Sequence, residues 1–497
     1  MSNPAKTHST KIDEARIDQA QVDQAQETPP EVTLKKYGLF LGWIEDRTGL
    51  ISRLNTVAGH QVPRRSKWAF VFGSATLFAF ILQVVTGITL AMFFEPSTAT
   101  AYQSLKAIST PGTFEAVVRG LHYYGASAMV VMMGIHLIRV YLAAAYKYPR
   151  EVQWISGVIM LFITLAMAFT GQTLRWDQNA VWSVVVGAEQ ASRAPIIGPI
   201  LARFLMAGDT LNAGTLSRLY ALHTYWFPAL LFGLIGLHVF LVIRNGISEP
   251  TVPGRKVNPR TYKQEYQARV KADGVPFWPD AAWRDTLFGS ALIILVVFLA
   301  WKLGAPALTM PPDPSIVQAD PKPDWYLIWY FAVLALWPYG VTNLMIILAP
   351  LLAIVGLIAL PLVSNKGERS PSRRPWAIGI VAVTVGMVFS LTVVGMREPW
   401  LPHFDAPPLS AQVVGSSDPT VIRGAALFHS QSCLLCHKIG NDGGVRGPNL
   451  TQVGQRLTAD QLTWRIQNGA SSMPGYAGVL SAQQLRDIVD FLATRKN

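Results

Sequence analysis

The sequence predicts an all-α fold, a transmembrane bundle of seven spans with a small C-terminal domain. Three observations predict it. Of 497 residues, 51% are hydrophobic and only 14% charged, with a mean hydropathy of +0.29; soluble domains carry about 25% charged residues. Seven apolar runs each reach the roughly 17 residues that a spanning helix needs. The only two cysteines, Cys433 and Cys436, lie beyond the last run and are followed at once by His437.

Residues 1–34 are polar, rich in Gln, Asp and Thr, with no visible cleavable signal peptide, and are expected to be a mobile N-terminus. Residues 35–67 include "YGLFLGWIEDRTGLISRLN", which mixes apolar and charged residues at helical spacing. That segment is too polar to span and is expected to lie in the interface. Residues 68–246 hold four spans, Trp68–Phe94, Ala116–Tyr146, Trp154–Thr170 and Leu219–Ile243. Residues 247–396 hold three more, Thr286–Leu303, Val341–Val363 and Ala377–Val394. Residues 397–420 are rich in Pro and Ser and read as a linker. Residues 421–497 form a polar domain too short for much of a core of its own.

The formal net charge of +12 points to membrane topology rather than to nucleic acid. Basic residues crowd the segment before the first span, the second-to-third loop (Lys147, Arg150), the fourth-to-fifth loop (Arg244 to Arg284) and the sixth-to-seventh loop (Lys366 to Arg374). All four fall on one side, so that side is cytoplasmic and the N-terminus lies there. An odd number of spans then delivers the C-terminus to the outer face. Cys433-x-x-Cys436-His437 is the pattern of covalent c-type haem attachment. That chemistry is assembled on the outer face of a membrane, in agreement with the span count.

Nine histidines occur, and four of them fall in spans: His122 and His136 in the second, His223 and His238 in the fourth. An ionisable residue within the bilayer is costly and signals function by default. A helix-packing hydrogen bond would explain one such residue, but two pairs are harder to explain that way. The separations are 136 − 122 = 14 and 238 − 223 = 15 residues, about 21–22 Å along a helix and on roughly one face. The second and fourth spans run in the same direction. His122 should therefore face His223 near the outer side, and His136 should face His238 near the inner side. Two layers of two imidazoles suit two non-covalent bis-His b-type haems. Gly73 and Gly87, and again Gly157 and Gly171, repeat the 14-residue spacing, and a glycine lets backbone approach a flat ring. Ordinary small-residue packing is the competing explanation. Arg119 and Arg139 lie one turn outside the histidines and could meet haem propionates; snorkelling to the interface competes with that role.

The stretches "FILQVVTGITLAMFF", "RGLHYYGASAMVVMMGIHLIRVYL", "KYPREVQWISGV", "WDQNAVW" and "LYALHTYWFPALL" closely resemble cytochrome b of the quinol–cytochrome c reductases, over roughly residues 36–400. The 15-residue spacing and "WIEDRTGL" resemble the cytochrome bf branch, in which the four-helix and three-helix parts are separate chains. Here they are joined. "DPKPDWYLIWYF" resembles the family's quinol-oxidation motif, and the resemblance implies Asp324 as proton acceptor with Tyr326 beside it. The family usually has Glu at this position, one methylene longer. A charged residue at an amphipathic helix start is the plainer explanation of Asp324, and the motif's place between spans on the outer side favours the functional one. The bf branch tethers an extra haem through a cysteine where this chain has Val71, so no third covalent haem is expected in the membrane. "GAALFHSQSCLLCHKIGNDGGVRGPNL" resembles class I cytochrome c. That resemblance implies thioethers at Cys433 and Cys436, His437 as proximal ligand and Met473, the only methionine after residue 396, as distal ligand.

The resemblance implies the cytochrome b/c subunit of a quinol–cytochrome c oxidoreductase of the bacterial inner membrane. Quinol would be oxidised at the outer face. One electron would pass through a Rieske-type iron–sulfur partner to the fused haem c, the other through the b haems to an inner quinone site, with coupled proton translocation. A soluble or membrane cytochrome c acceptor, the quinone pool and a homodimer are further implications. The spacing alone indicates only a transmembrane two-haem wire. A di-haem anchor linking a periplasmic dehydrogenase to the quinone pool would share it, though without need of the Asp324 motif. A non-redox transporter is disfavoured by the C-x-x-C-H motif.

Overall fold

The computed structural model describes residues 30–496, apart from 209, 314–315, 317–320, 338, 398–405, 445–446 and 470–472. Most of the expected mobile N-terminus and part of the expected linker thus lie outside the described residues. Seven helices are long and apolar enough to span a bilayer. They are α1 Phe72–Ala91, α2 Phe114–Leu142, α3 Glu151–Thr173, α4 Ala213–Asn245, α5 Ala282–Leu303, α6 Tyr339–Val363 and α7 Pro375–Met396. A bilayer demands that backbone polar groups be satisfied within the segment, which is why these apolar runs are helical.

Helix ends follow local chemistry. The Thr113 side chain accepts from the Ala116 N–H (3.2 Å) and starts α2. A reciprocal pair, Asn212 with Thr215, caps α4 and extends it N-terminally of the apolar run that begins at Leu219. Pro375 opens α7, where a missing N–H costs nothing.

Among the described residues, 30–66 and 265–283 form one compact unit and the rest another. In the first, Pro30–Thr48 and Leu50–Ala58 are helical, and strand β1 (Gln61–Pro63) pairs antiparallel with β3 (Gly274–Pro276). In the second, β2 (Lys256–Val257) pairs with β4 (Gly367–Glu368). α1 lies antiparallel to α2 and α3 to α4, around apolar side chains that include Ala79, Phe80, Met129 and Leu231. The later spans dock on this core. Ala300 of α5 meets Gly120 of α2, and the Trp154 indole N–H of α3 donates to the Leu357 carbonyl of α6 (2.6 Å).

Contrary to the expectation that it is too short for much of a core, the C-terminal segment has its own buried apolar cluster, including Phe428, Leu434, Ile439, Leu462, Ile488 and Phe491. Helices α8 (Pro419–Ser430) and α10 (Ala482–Ala493) cross where Gly424 meets the Asp487 backbone, a contact that leaves no room for a Cβ. Phe428 and Phe491 pack against each other there at a tilt of 56°, with ring centres 5.8 Å apart. Ser481 and Gln484 form a capping box at the start of α10. The short helix α9, Cys433–Cys436, sits beside them, with Leu434 buried among Phe428 and Ile488. Strand β5 (Lys438–Ile439) follows and pairs with β6 (Asp442–Gly443).

Candidate functional site

Four imidazoles and four glycines meet one to one inside the bundle. A Cβ placed on Gly73 would stand 3.0 Å from His136 Cε1, on Gly87 3.3 Å from His122 Cε1, on Gly157 3.6 Å from His238 Cε1 and on Gly171 2.6 Å from His223 Cε1. The glycines of α1 thus serve the histidines of α2, and those of α3 serve α4. Gly171, Gly73 and Gly87 remove a side chain that would crowd the imidazole, most severely at Gly171, whereas at Gly157 a Cβ would stand at ordinary contact distance.

The His122 and His223 ring centres are 6.2 Å apart with planes at 76°. Transition-metal–imidazole bonds of about 2 Å on each side of one metal would give a centre separation of about 6 Å. His136 and His238 are likewise close enough to interact electrostatically. Three of the four rings are held through Nδ1. His122 Nδ1 bonds the Thr86 hydroxyl (2.9 Å), and His238 Nδ1 the Ser156 hydroxyl (2.9 Å). His223 Nδ1 donates to the Met167 carbonyl (2.9 Å) and meets the Thr170 hydroxyl at 3.4 Å. Engagement of Nδ1 orients the ring and leaves Nε2 for a metal. The residues therefore fit two bis-His haems. Thr86, Ser156 and Thr170 escaped the reading of the sequence, although each directly precedes one of the four glycines.

The 14- and 15-residue spacings are reconciled by backbone geometry. Leu222–Trp226 of α4 forms a π turn in which the Phe227 N–H reaches back to the Leu222 carbonyl. Pro228 has no N–H to offer the Thr224 carbonyl, and the ladder widens by one residue just before it. The extra residue is absorbed there, so His223 and His238 share the register of His122 and His136.

The arginines divide. Arg119 donates to the Ser109 hydroxyl (2.9 Å) and to the Pro306 carbonyl (2.8 Å). Arg139 packs its guanidinium 3.8 Å from the Phe70 ring centre. A third arginine, Arg175, is ion-paired with the fully buried Asp177 at 3.2 Å and within electrostatic range of Arg119.

Asp324 stands at the entry of a 3₁₀ turn, Trp325–Leu327, and its carboxylate accepts a 2.8 Å hydrogen bond from the Tyr326 hydroxyl. Burial pushes its carboxyl up from the ordinary value, while the Tyr326 bond and Arg175 pull it down. The Trp325 indole donates to the Ser127 hydroxyl of α2 (3.2 Å), and Tyr123, next to His122, lies within electrostatic range of Asp324. The motif therefore sits by the His122–His223 layer.

In the C-terminal domain, His437 Nδ1 bonds the Pro448 carbonyl (2.9 Å), again leaving Nε2 available. A Cβ on Gly447 would be 2.5 Å from the His437 ring. Burial lowers the His437 pKa, which favours the neutral, ligating form. Cys433 and Cys436 are not joined in a disulfide. Tyr476, three residues after Met473, donates to the Gln431 carbonyl (3.1 Å) and interacts electrostatically with both cysteines. Tyr476 thereby ties the segment after Met473 to the C-x-x-C-H turn, and the His437 ring and the two thiols there fit a covalently attached haem.

The cytochrome b/b6/petB family profile matches residues 57–246, and the cytochrome b (C-terminal)/b6/petD profile matches residues 311–405. A relative from Bacillus subtilis, the menaquinol:cytochrome c reductase cytochrome b subunit, is 36% identical over 217 residues, 42% of this chain and 96% of that protein. The chain belongs to the cytochrome b/b6 family. Cytochrome b6 of Heliobacterium modesticaldum is 35% identical over its full length, again 42% of this chain. Both relatives correspond to little more than the four-helix part, so this cytochrome b carries its three-helix part and a further domain in the same chain. Residues 419–492 match the profile of cytochrome c oxidase, cbb3-type, subunit III. A solved structure titled hyperthermophilic respiratory Complex III superposes with a TM-score of 0.61 at 26% identity, covering 72% of this chain and 91% of that one. Cytochrome b and c domains imply haem binding.

Proposed function

We propose that the chain is the cytochrome b/c subunit of a quinol–cytochrome c oxidoreductase in a Complex III-like assembly, oxidising quinol beside Asp324. The observation that carries this reading is the half-buried, hydrogen-bonded Asp324–Tyr326 pair beside the His122–His223 layer. A di-haem anchor would share the histidine layers but has no use for a half-buried carboxylate held at such a point.

Each side chain has a task. Asp324, its carboxyl raised by burial against the opposing pull of Tyr326 and Arg175, is suited to accept a quinol proton. Tyr326 holds the accepting oxygen in place. His122 with His223, and His136 with His238, would hold two b-type haems; His437 and Met473 would hold the c-type haem joined to Cys433 and Cys436. Haem bound at these residues supplies one-electron carriage. Gly73, Gly87, Gly157 and Gly171 would leave room for the imidazoles, and Arg119 and Arg139 would meet carboxylate groups at a haem edge. A Rieske-type iron–sulfur protein is the required partner, since the only cysteines are those of the C-x-x-C-H motif. The quinone pool, a cytochrome c acceptor and a homodimeric complex complete the assembly. We place it in the bacterial inner membrane, with the N-terminus cytoplasmic and the cytochrome c domain outside, coupling turnover to proton translocation.

The test is quinol oxidation by the purified complex. Asp324→Ala should cut turnover by roughly a hundredfold, the lower range for loss of a general base, with haem content unchanged. Turnover at the unmodified rate would contradict the assignment.

A further inference from the structure

We infer that Gln172, Gln178 and Asn179 are positioning residues for quinol oxidation, acting as side-chain amide clamps that fix the backbone carrying Asp324. The inference rests on the reading of Asp324 as the quinol-site carboxylate.

A primary amide carries a donor and an acceptor in one plane, as a peptide group does, and can pair with a strand-like segment as a sheet neighbour would. The described residues between 309 and 324 are met in this way by three amides. Gln178 Oε1 accepts from the Asp313 N–H (2.6 Å), while its Nε2 donates to the carbonyls of Asp313 (2.9 Å) and Ile316 (3.1 Å). Asn179 Oδ1 accepts from the Lys322 N–H (2.8 Å), and its Nδ2 donates to the Lys322 carbonyl (3.1 Å). Gln172, at the end of α3, donates to that same carbonyl (3.0 Å) and accepts from the Asp324 N–H (3.0 Å). Asp177, between them, accepts from the Thr309 N–H at 3.0 Å.

Gln172, Asp177 and Gln178 are all buried. A buried amide stripped of its partner is costly, so the backbone at Asp313, Lys322 and Asp324 is held against displacement. Asp324 is the end point. Its backbone N–H is fixed by Gln172 and its carboxylate by Tyr326, with one short stem between. The carboxylate therefore goes where the backbone goes, and a shift of about 1 Å in a reacting group can cost about a hundredfold in rate.

The experiment is a double-mutant cycle on the purified complex, with Gln172→Leu, Asp324→Asn and the pair, each assayed for kcat and KM of quinol oxidation and for haem b and c content. Gln172→Leu should lower kcat by about ten- to a hundredfold with haem content unchanged. The double variant should be no slower than Asp324→Asn alone, because Gln172 acts through Asp324. Should Gln172→Leu lose haem, Asn179→Leu takes its place in the cycle. Unchanged kcat in the clamp variant, or losses that multiply in the double variant, would overturn the positioning role while leaving the quinol site standing. An Asp324→Asn variant as fast as the unmodified complex would overturn both.

Discussion

At the scale of the residue, the strongest constraint is the space opposite each imidazole. Alanine at the four glycines should graduate with that space. Gly171→Ala forces a Cβ to 2.6 Å from His223 and should lose the haem of that layer, whereas Gly157→Ala at 3.6 Å is ordinary contact and should keep both. Reduced-minus-oxidised spectra of the b bands check the series, and equal loss at all four positions would contradict it. Thr86→Val removes the hydroxyl that meets His122 Nδ1. It should retain haem but shift that haem's midpoint potential, because the ring's second nitrogen sets its basicity. The histidines were legible in the sequence because charge in lipid is rare and their spacing repeats. The glycines were legible as a repeat, but not their one-to-one pairing with the imidazoles. Thr86, Ser156 and Thr170 were not, because a hydroxyl in a span ordinarily bonds its own helix and only the fold shows which ring it faces.

At the scale of the element, the π turn of α4 is a register device. It holds one residue more than a regular α-helix over the same rise. Deleting Thr224 should let Leu222–Trp226 relax to α-helix with both b haems retained. Deleting Val130, between His122 and His136 in the regular helix α2, should rotate one ligand off its face by about 100° and lose a haem. Haem-to-protein ratios of the two deletions decide, and equal loss would remove the register role. The seven spans could be read from the chain to within a few residues, since apolarity over a bilayer's thickness leaves little choice. The π turn could not. Only the 15-residue interval hinted at it, and simple arithmetic placed both intervals on a regular helix.

At the scale of the whole molecule, the basic loops do more than set orientation. Lys147, Arg150, Arg369 and Arg374 are all buried and donate to carbonyls. Arg150 reaches those of Asn245, Gly246 and Ile247 at the end of α4. Arg374 reaches those of Tyr141 and Leu142 at the end of α2. Arg369 links the Ala143 and Glu249 carbonyls and the Ser248 hydroxyl, and Lys147 donates to the Lys366 carbonyl (2.5 Å). Cations at helix C-termini are favoured by the helix dipole, and here they tie the four-helix part to the three-helix part. Arg369→Ala should lower the thermal unfolding midpoint by several degrees, since hydrogen bonds to a charged group contribute about 1.5–3 kcal/mol each; an unchanged midpoint would mean the tie is redundant. The charge count alone suggested topology and could not reveal this use, because burial of a loop arginine depends on helix ends brought together by the fold. One measurement bears most directly on the whole molecule: a potentiometric titration of the purified chain followed in the b and c absorption bands. It should resolve two b-type transitions and one c-type transition, in a haem ratio of two to one. A single b-type transition, or a c-type signal that survives His437→Ala unchanged, would contradict it.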